Sequence, residues 1–555
     1  MRLRLTRLVA LVCLALPSSV AASGSGVKAD AAVPEGGRLL PWKGEQVVYS
    51  GFSSDHGLGD RLPKEEPDSP VMKAYRARTG NVSIKWQIVP PDDYRTKLNI
   101  QVQSGDLPDV LWNVNYLADS AVYGPQGLFL NFGKYTEYMP NVQKWAATMS
   151  GYNNVLTPDG ARYAVQDVIT AEWLGEGWFY NSGILAKAGL SGPPDTLADM
   201  LQAMKRVKAA VPGVDGFYTY FGIQHTKQAI AYAMNAKLDV QLDFDTGKWV
   251  YGPTMDPRYR ETLEYLAAMY QGGLLNPEIL SLGSTAAGER QMEIFADGKF
   301  AFSYHYYGDQ KARFLDMGKP QVMKGMRSPR AADGKRYYWI TVPHDSYGNS
   351  AFMANARAKR PELLAAYVDN IMSYETYELK EWGLEGVTFR RTPEGGYEFL
   401  PEYRKDDPGG LTAGQKLTKQ GVGALLDTTT SFADFRILWF YKYFTGKGDV
   451  GREACGADIN ALTSGEMVPA WRQATPVLGV EASDVAAKTM TPVKTFVAEE
   501  ELKFITGRRP FSEWSNFIAQ ANKMGDIAKV LGYYNAARQF PIGERSYPIL
   551  PPDLR

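Results

Sequence analysis

VSIKWQIVPPDDYRTKLNIQVQSGDLPDVLW, residues 82–112, is the stretch whose reading decides the fold. Val82, Ile84, Trp86 and Ile88 alternate with polar residues at period two, which predicts a strand. Two prolines and then Asp92 and Asp93 open a helix, with carboxylates at its positive end. Tyr94, Leu98 and Val102 form the apolar face of that helix, and Ser104-Gly105 stops it. Residues 107–112, LPDVLW, read as a buried strand. Upstream, Val47-Val48-Tyr49 is a short β-rich run, and Val71, Ala74, Tyr75 and Arg78 mark a helix that Gly80 closes. Strand, helix, strand, helix, strand, joined by short connections, implies parallel strands with helical crossovers in a doubly wound α/β lobe. Ligands of open α/β sheets sit beyond the carboxyl ends of the strands. Trp112, Asn113, Asn115 and Tyr116 fall at such an end. An aromatic there often serves only as a lid on the core, but amides beside it favour a polar ligand.

The middle of the chain is punctuated as helices should be. Pro194-Asp195-Thr196 precedes an apolar stripe at Leu197, Leu201, Met204, Val207 and Val211 that Pro212-Gly213 ends. Asp256-Pro257 precedes Tyr259, Leu263, Leu266 and Tyr270, and Gly272-Gly273 ends that run. Asp245-Thr246-Gly247-Lys248 between short apolar runs predicts a hairpin turn. Phe300, Phe302 and Tyr304 alternate as a strand leading into His305, Tyr306, Tyr307 and Gly308. Pro361, Leu364, Tyr367, Val368 and Ile371 form another amphipathic helix, and the last clear one carries Trp514, Phe517, Ile518, Ala521 and Met524.

At 555 residues the chain is too long for one core, and about two to four lobes are expected. With 61 basic and 61 acidic residues, it lacks the basic footprint of a nucleic-acid binder. Aromatic residues reach 12%, enough to line a cleft with flat rings as well as to fill a core. Residues 1–22 read as a signal peptide: Arg2, Arg4 and Arg7, an apolar run over residues 8–16, and Val20-Ala21-Ala22 as the cleavage site. The apolar run is well short of the ~20 residues needed to span a bilayer. Val12 stands where lipoprotein attachment at Cys13 requires a small residue, so a soluble periplasmic or secreted product without a lipid anchor is expected. Cys455 then has no disulfide partner. Residues 23–44, rich in Ala, Gly, Ser and Pro, read as a flexible leader.

Catalytic and metal motifs are missing. His56, His225, His305 and His344 lack metal-ligand spacing, and no Cys pair supports zinc, so neither metal nor cofactor is expected. Residues 446–451, GKGDVG, match a dinucleotide-loop pattern but follow a helix-like aromatic stretch and read as a turn. Residues 243–247, DFDTG, resemble a calcium loop whose Gly is one place early, and a hairpin turn accounts for them better. A secreted glycoside hydrolase is the enzyme alternative, needing two carboxylates across one sugar bond. Glu172/Glu176 and Glu381/Glu385 have helical spacing, but adjacent glycines argue against a helix at both. No catalytic residue is assigned. A peptide or cell-wall receptor is a third possibility.

Several segments, in order, resemble the bacterial extracellular solute-binding proteins of family 1, the receptors of carbohydrate importers. They are residues 104–110 (SGDLPDV), 178–181 (WFYN), 270–278 (YQGGLLNPE), 295–302 (FADGKFAF), 382–387 (WGLEGV) and 500–510 (EELKFITGRRP) followed by Ser512-Glu513-Trp514. The last two are similar to signatures of a long subfamily, many of whose members are lipoproteins; the missing lipoprotein Cys is the departure. The resemblance implies a two-lobed, type II periplasmic-binding-protein-like α/β fold, with ligand in a cleft between lobes joined by hinge strands. It places the first lobe at 45–165 with a return segment at about 338–380, and the second at 166–337 with about 381–555. The crossings are expected near 163–172 and 338–342. By family position, Trp112, Asn113, Asn115 and Tyr116 face Trp178, Gln224, His225, Tyr304, His305 and Tyr306, with Trp382 and Glu385 toward the hinge. The implied function is capture of a carbohydrate, an oligosaccharide in particular, by closure of a monomeric receptor. The implied partners are that sugar and the membrane permease subunits of an ABC importer.

Overall fold

The computed structural model describes residues 39–54, 68–114, 117–148, 150–153, 155–168, 176–219, 222–243, 246–282, 290–291, 293–306, 323–339, 347–391, 397–404, 407, 410–411, 413–422, 467–470 and 476–537. In chain order the strands are β1 (Trp42–Ser54), β2 (Gly80–Val89), β3 (Val110–Val114), β4 (Val165–Val168), β5 (Glu176–Asn181), β6 (Asp215–Tyr218), β7 (Val240–Asp243), β8 (Lys248–Tyr251), β9 (Phe300–Tyr306), β10 (Met323–Met326), β11 (Arg336–Trp339), β12 (Tyr347–Ala354), β13 (Phe389–Arg391), β14 (Tyr397–Phe399) and β15 (Met467–Ala470).

The expected strand–helix alternation builds the first sheet, in the order β2-β1-β3-β12-β4. β1 pairs parallel with both β2 and β3. The helix Pro70–Thr79 makes the first crossover, and Pro91–Ser104 makes the second. Ser69 caps the first through its Oγ, which accepts from the Met72 N–H. Gly105 ends the second in the left-handed conformation, φ 72°, where a side chain would be strained. β12 runs antiparallel to β3 and β4. The second sheet has the order β10-β5-β9-β6, with β6 and β9 parallel and β5 antiparallel to both β9 and β10.

Each sheet has its own core. Tyr49, Val110, Trp112, Phe352, Leu364 and Tyr367 belong to the first. Trp178, Phe217, Tyr259, Leu266, Phe302 and Tyr304 belong to the second. The chain leaves the first sheet at Val168 and enters the second at Glu176, then returns from Trp339 to Tyr347. Val168 and Tyr347 are register partners, so both crossings meet the first sheet at one corner. The hairpin expected around Gly247 is the antiparallel pair β7–β8, with Gly247 at φ 66°.

Three boundaries differ from the sequence reading. Folded structure begins before residue 45: Trp42 pairs with Gly80, Arg360 lies over the Trp42 ring at 5.2 Å, and Leu39 and Leu40 pack against the first core. Composition alone hid these few apolar residues at the end of a Gly/Pro-rich run. The first sheet extends past residue 165, because Val165 and Gln166 pair with β12. Residues 382–422 join the first core rather than the second, through Trp382, Phe389, Tyr397, Phe399, Leu417 and Val422.

The longest helix, Val480–Ile505, was absent from the sequence reading. Pro492 lies inside it and breaks the expected pattern, yet its buried residues Ala486, Met490, Val493, Val497, Glu500, Glu501, Phe504 and Ile505 form a helical stripe. A further helix, Ile527–Ala536, follows the one carrying Trp514. The signal segment, Cys13, Cys455, His56, His344 and residues 446–451 lie outside the described residues.

Candidate ligand site

Strand direction fixes where the candidate residues gather. In the first sheet β1, β2, β3 and β4 run one way, so Ser54, Val89, Val114 and Val168 end at one edge. In the second, β6 and β9 run together and Glu176, the first residue of β5, pairs with Tyr306, the last of β9. The outgoing crossing therefore links the carboxyl edge of one sheet to the carboxyl edge of the other. From Val168 to Glu176, and from Trp339 to Tyr347, the chain takes eight steps, a reach of at most about 29 Å. Both carboxyl edges, where α/β sheets hold ligands, are thus tethered close together.

β3 carries the first group. The motif before it is scaffolding: Asp109 Oδ2 accepts from both the N–H and the Oγ of Ser50 at 2.8 Å, and Asn355 Nδ2 donates to the Leu107 carbonyl at 2.8 Å. These bonds stitch β3 to β1 and β12 and set the register of its end. Trp112 pairs with Phe352, its ring stacked at 6.3 Å and 24°. It is 8% exposed, and its indole N–H is buried without a hydrogen-bond partner. Asn113 follows, opposite Ala351. Asn115 and Tyr116 lie outside the described residues.

The second group is drawn together by β5, β9 and the helix Gly222–Ala233. Trp178 and Tyr304 face each other in register with ring centroids 5.3 Å apart. The His225 ring lies 5.7 Å from Tyr304 and 5.9 Å from His305. Trp178, His225, Tyr304 and His305 are all buried, whereas Gln224 is exposed on the first turn of its helix. Tyr306 closes the strand. The motifs here are scaffolding too. Asn181 Oδ1 accepts from the Ile184 N–H at 3.1 Å, capping a helix, and its Nδ2 donates to the Gly298 carbonyl at 3.1 Å. Residues 178–181 and 295–302 are thereby locked to one another.

Trp382 and Glu385 do not join either group. The Trp382 ring stacks on Tyr397 at 5.0 Å and lies 4.7 Å from Phe399, enclosed in the first core. Glu385 is exposed and pairs with Arg391 at 3.4 Å. Expected toward the hinge by family position, Trp382 is instead covered by a short hairpin of aromatic residues, β13–β14.

The carboxylate pairs weighed for catalysis are not helical pairs. Glu176 opens a strand, and Glu381 ends the helix Tyr374–Glu381 while Glu385 lies beyond it. Among the described residues no cluster of three or more His, Cys, Asp and Glu could hold a metal. Of residues 243–247, Asp243 ends β7 and its Oδ2 accepts from Thr246 Oγ1 at 2.8 Å, while 244 and 245 lie outside the described residues.

Sequence reasoning missed a buried charge behind the site. Lys227 Nζ donates to both carboxylate oxygens of Glu501 at 2.8 Å, and Tyr259 Oη also donates to Glu501. Lys227 lies two residues after His225, so this pair ties the site-bearing helix to the long C-terminal helix. Glu500 is engaged in turn by Lys503 and Arg509. The charges in residues 500–510 therefore hold helices in place. Paired glutamates on an apolar stripe are the signal that could have revealed them.

Two α/β sheets linked at their carboxyl edges by the crossing from Val168 to Glu176, with aromatic and polar residues near those edges, define a two-lobed fold of the type II periplasmic-binding-protein kind. A profile of the bacterial extracellular solute-binding proteins matches residues 71–368. The chain belongs to that family. It is similar to a fructooligosaccharide ABC transporter substrate-binding protein, FusA of Streptococcus pneumoniae serotype 4, with 22% identity over 252 residues. That match spans 39% of this chain and 43% of the relative's length. Among solved structures, alginate-binding protein AlgQ2 superposes with a TM-score of 0.67 at 17% identity, covering 89% of this chain and 98% of that one. An HMO-binding solute-binding protein of Bifidobacterium longum infantis gives 0.64 at 15% identity, covering 88% and 99%. These likenesses establish the fold.

Proposed function

We propose that this protein captures a carbohydrate, an oligosaccharide in particular, between its two lobes and delivers it to the membrane subunits of an ABC importer. The observation that carries the reading is the crossing from Val168 to Glu176, which links the carboxyl edge of the first sheet, near Trp112 and Asn113, to that of the second, at His305 and Tyr306. A sugar has an apolar C–H face and a rim of hydroxyls, so it suits aromatic rings with amides and imidazoles beside them. The family, and the glycans after which its relatives are named, support that ligand class.

In this reading Trp112, Asn113, Asn115 and Tyr116 act from the first lobe, and Gln224, His225, His305 and Tyr306 from the second. Trp178 and Tyr304 back the second group from within the core. Closure follows because a ligand touching both edges binds the closed form more tightly, and only such a difference shifts the equilibrium. The closed form is what the importer reads. In this reading the sugar is bound and passed on uncleaved. The protein acts outside the cytoplasm, after export, as a monomer.

The test is a thermal-shift and calorimetric screen of mono- and oligosaccharides with product analysis. Oligosaccharides should raise the melting temperature and be recovered intact. Released reducing ends in proportion to protein would support the hydrolase alternative, and a response to peptides alone would support a peptide receptor.

A further inference from the structure

Arg162 is 6% exposed. Its Nη2 donates to Asn153 Oδ1 at 2.8 Å, its guanidinium lies 5.2 Å from the Tyr152 ring centroid, and its Nη1 has no hydrogen-bond partner. Among the described residues it makes no ion pair, and burial lowers its pKa from the usual arginine value. A buried cation without a counter-charge is costly, and the deficit here is one negative group.

Arg162 also forms part of the wall of a cavity of ≈ 250 Å³. Phe132, Met139, Val142, Ala146 and Leu156 supply its apolar side chains, and Thr136 and two glycines also line it. Gln143 lines it as well, but its amide already donates to the Thr136 carbonyl. The cavity lies away from the candidate sugar site. Phe132 N–H donates to the Arg162 carbonyl and Leu130 N–H to that of Ala354, which places it at the edge where β4 begins and β12 ends. That is the edge opposite the carboxyl ends of β1, β3 and β4.

We propose that this cavity is a second binding site, for a small monocarboxylate with an apolar tail. The carboxylate pairs with the Arg162 guanidinium, and the tail fills the space among Phe132, Met139 and Ala146. A fully charged phosphate or sulfate needs donors on three or four oxygens, and a wall with one guanidinium and mostly apolar side chains does not supply them. The proposal does not depend on the carbohydrate reading.

The full-length mature protein is titrated with butyrate and benzoate and, in parallel, with butyramide and benzamide, which have the same shape without the charge. Sulfate and phosphate form a third arm. The acids should bind and raise the melting temperature, and the amides and inorganic anions should not. Ala146→Met fills the cavity while leaving Arg162 in place, and should weaken the acids at least about tenfold. Arg162→Met should abolish the preference of acid over amide; if that variant does not fold, Ala146→Met decides. Equal binding of acid and amide, an unchanged affinity in Ala146→Met, or binding of sulfate or phosphate without the acids would each overturn the proposal.

Discussion

Trp178 on β5 and Tyr304 on β9 are register partners with ring centroids 5.3 Å apart, and both are buried in the second core. Both were candidate ligand contacts by family position, and their burial gives them a structural task. Trp178→Ala should therefore cost about 3–5 kcal/mol of stability in urea unfolding. A variant of unchanged stability but lower sugar affinity would reassign Trp178 to the ligand.

Tyr306 ends β9, and Trp112 lies two residues before the end of β3, near the edges that the crossing from Val168 to Glu176 links. Tyr306→Ala should weaken oligosaccharide binding at least about tenfold, with little change in melting temperature without sugar. Trp112→Phe keeps a ring against Phe352 and removes the buried indole N–H, a donor whose unmet bond is worth about 1–3 kcal/mol. Calorimetry on both variants checks this; full affinity in both would remove them from the site.

The Lys227–Glu501 pair should behave as a buried ion pair. Lys227→Met or Glu501→Gln alone leaves one charge uncompensated, at a cost of about 3–5 kcal/mol, whereas Lys227→Met with Glu501→Leu should recover much of the loss. A double-mutant cycle by denaturation measures this. Additive losses would mean the pair holds nothing together.

The first lobe was legible because period-two alternation and helix punctuation are local signals, and residues 82–112 carry both without interruption. The candidate residues on β9 were legible for the same reason. What could not be read depends on contacts far apart in the chain. Trp382 meets its rings only after β13 and β14 fold back, so its neighbours in sequence do not reveal its burial. The helix Val480–Ile505 was hidden by Pro492, because tertiary packing of its stripe overrides the local penalty. Arg162 carries no sequence pattern, because a lone arginine has none, and its burial without an ion pair among the described residues is visible only in the fold.

Asp369 gives a pH test. It is 4% exposed and accepts from the Val142 N–H and from Asn141 Nδ2, each at 2.8 Å. Burial nonetheless pushes its carboxyl from 3.8 up to about 6. A group whose pKa is raised by folding contributes stability below its unfolded value and loses it as pH rises through the folded one. Relative to Asp369→Asn, the native protein should therefore lose stability between about pH 4 and about pH 6 and change little above that. Denaturation at stepped pH reads the difference; a native protein that gains on the variant across this window would contradict it.

The central claim is capture of an intact sugar across two lobes, and the most direct measurement is calorimetry of the mature protein against an oligosaccharide panel, with chromatography of the recovered ligand. Saturable binding of at least one oligosaccharide, weakened both by Tyr306→Ala on one edge and by Trp112→Phe on the other, with the sugar returned uncleaved, is the predicted result. No binding across the panel, or shortened sugar in the recovered fraction, would contradict it.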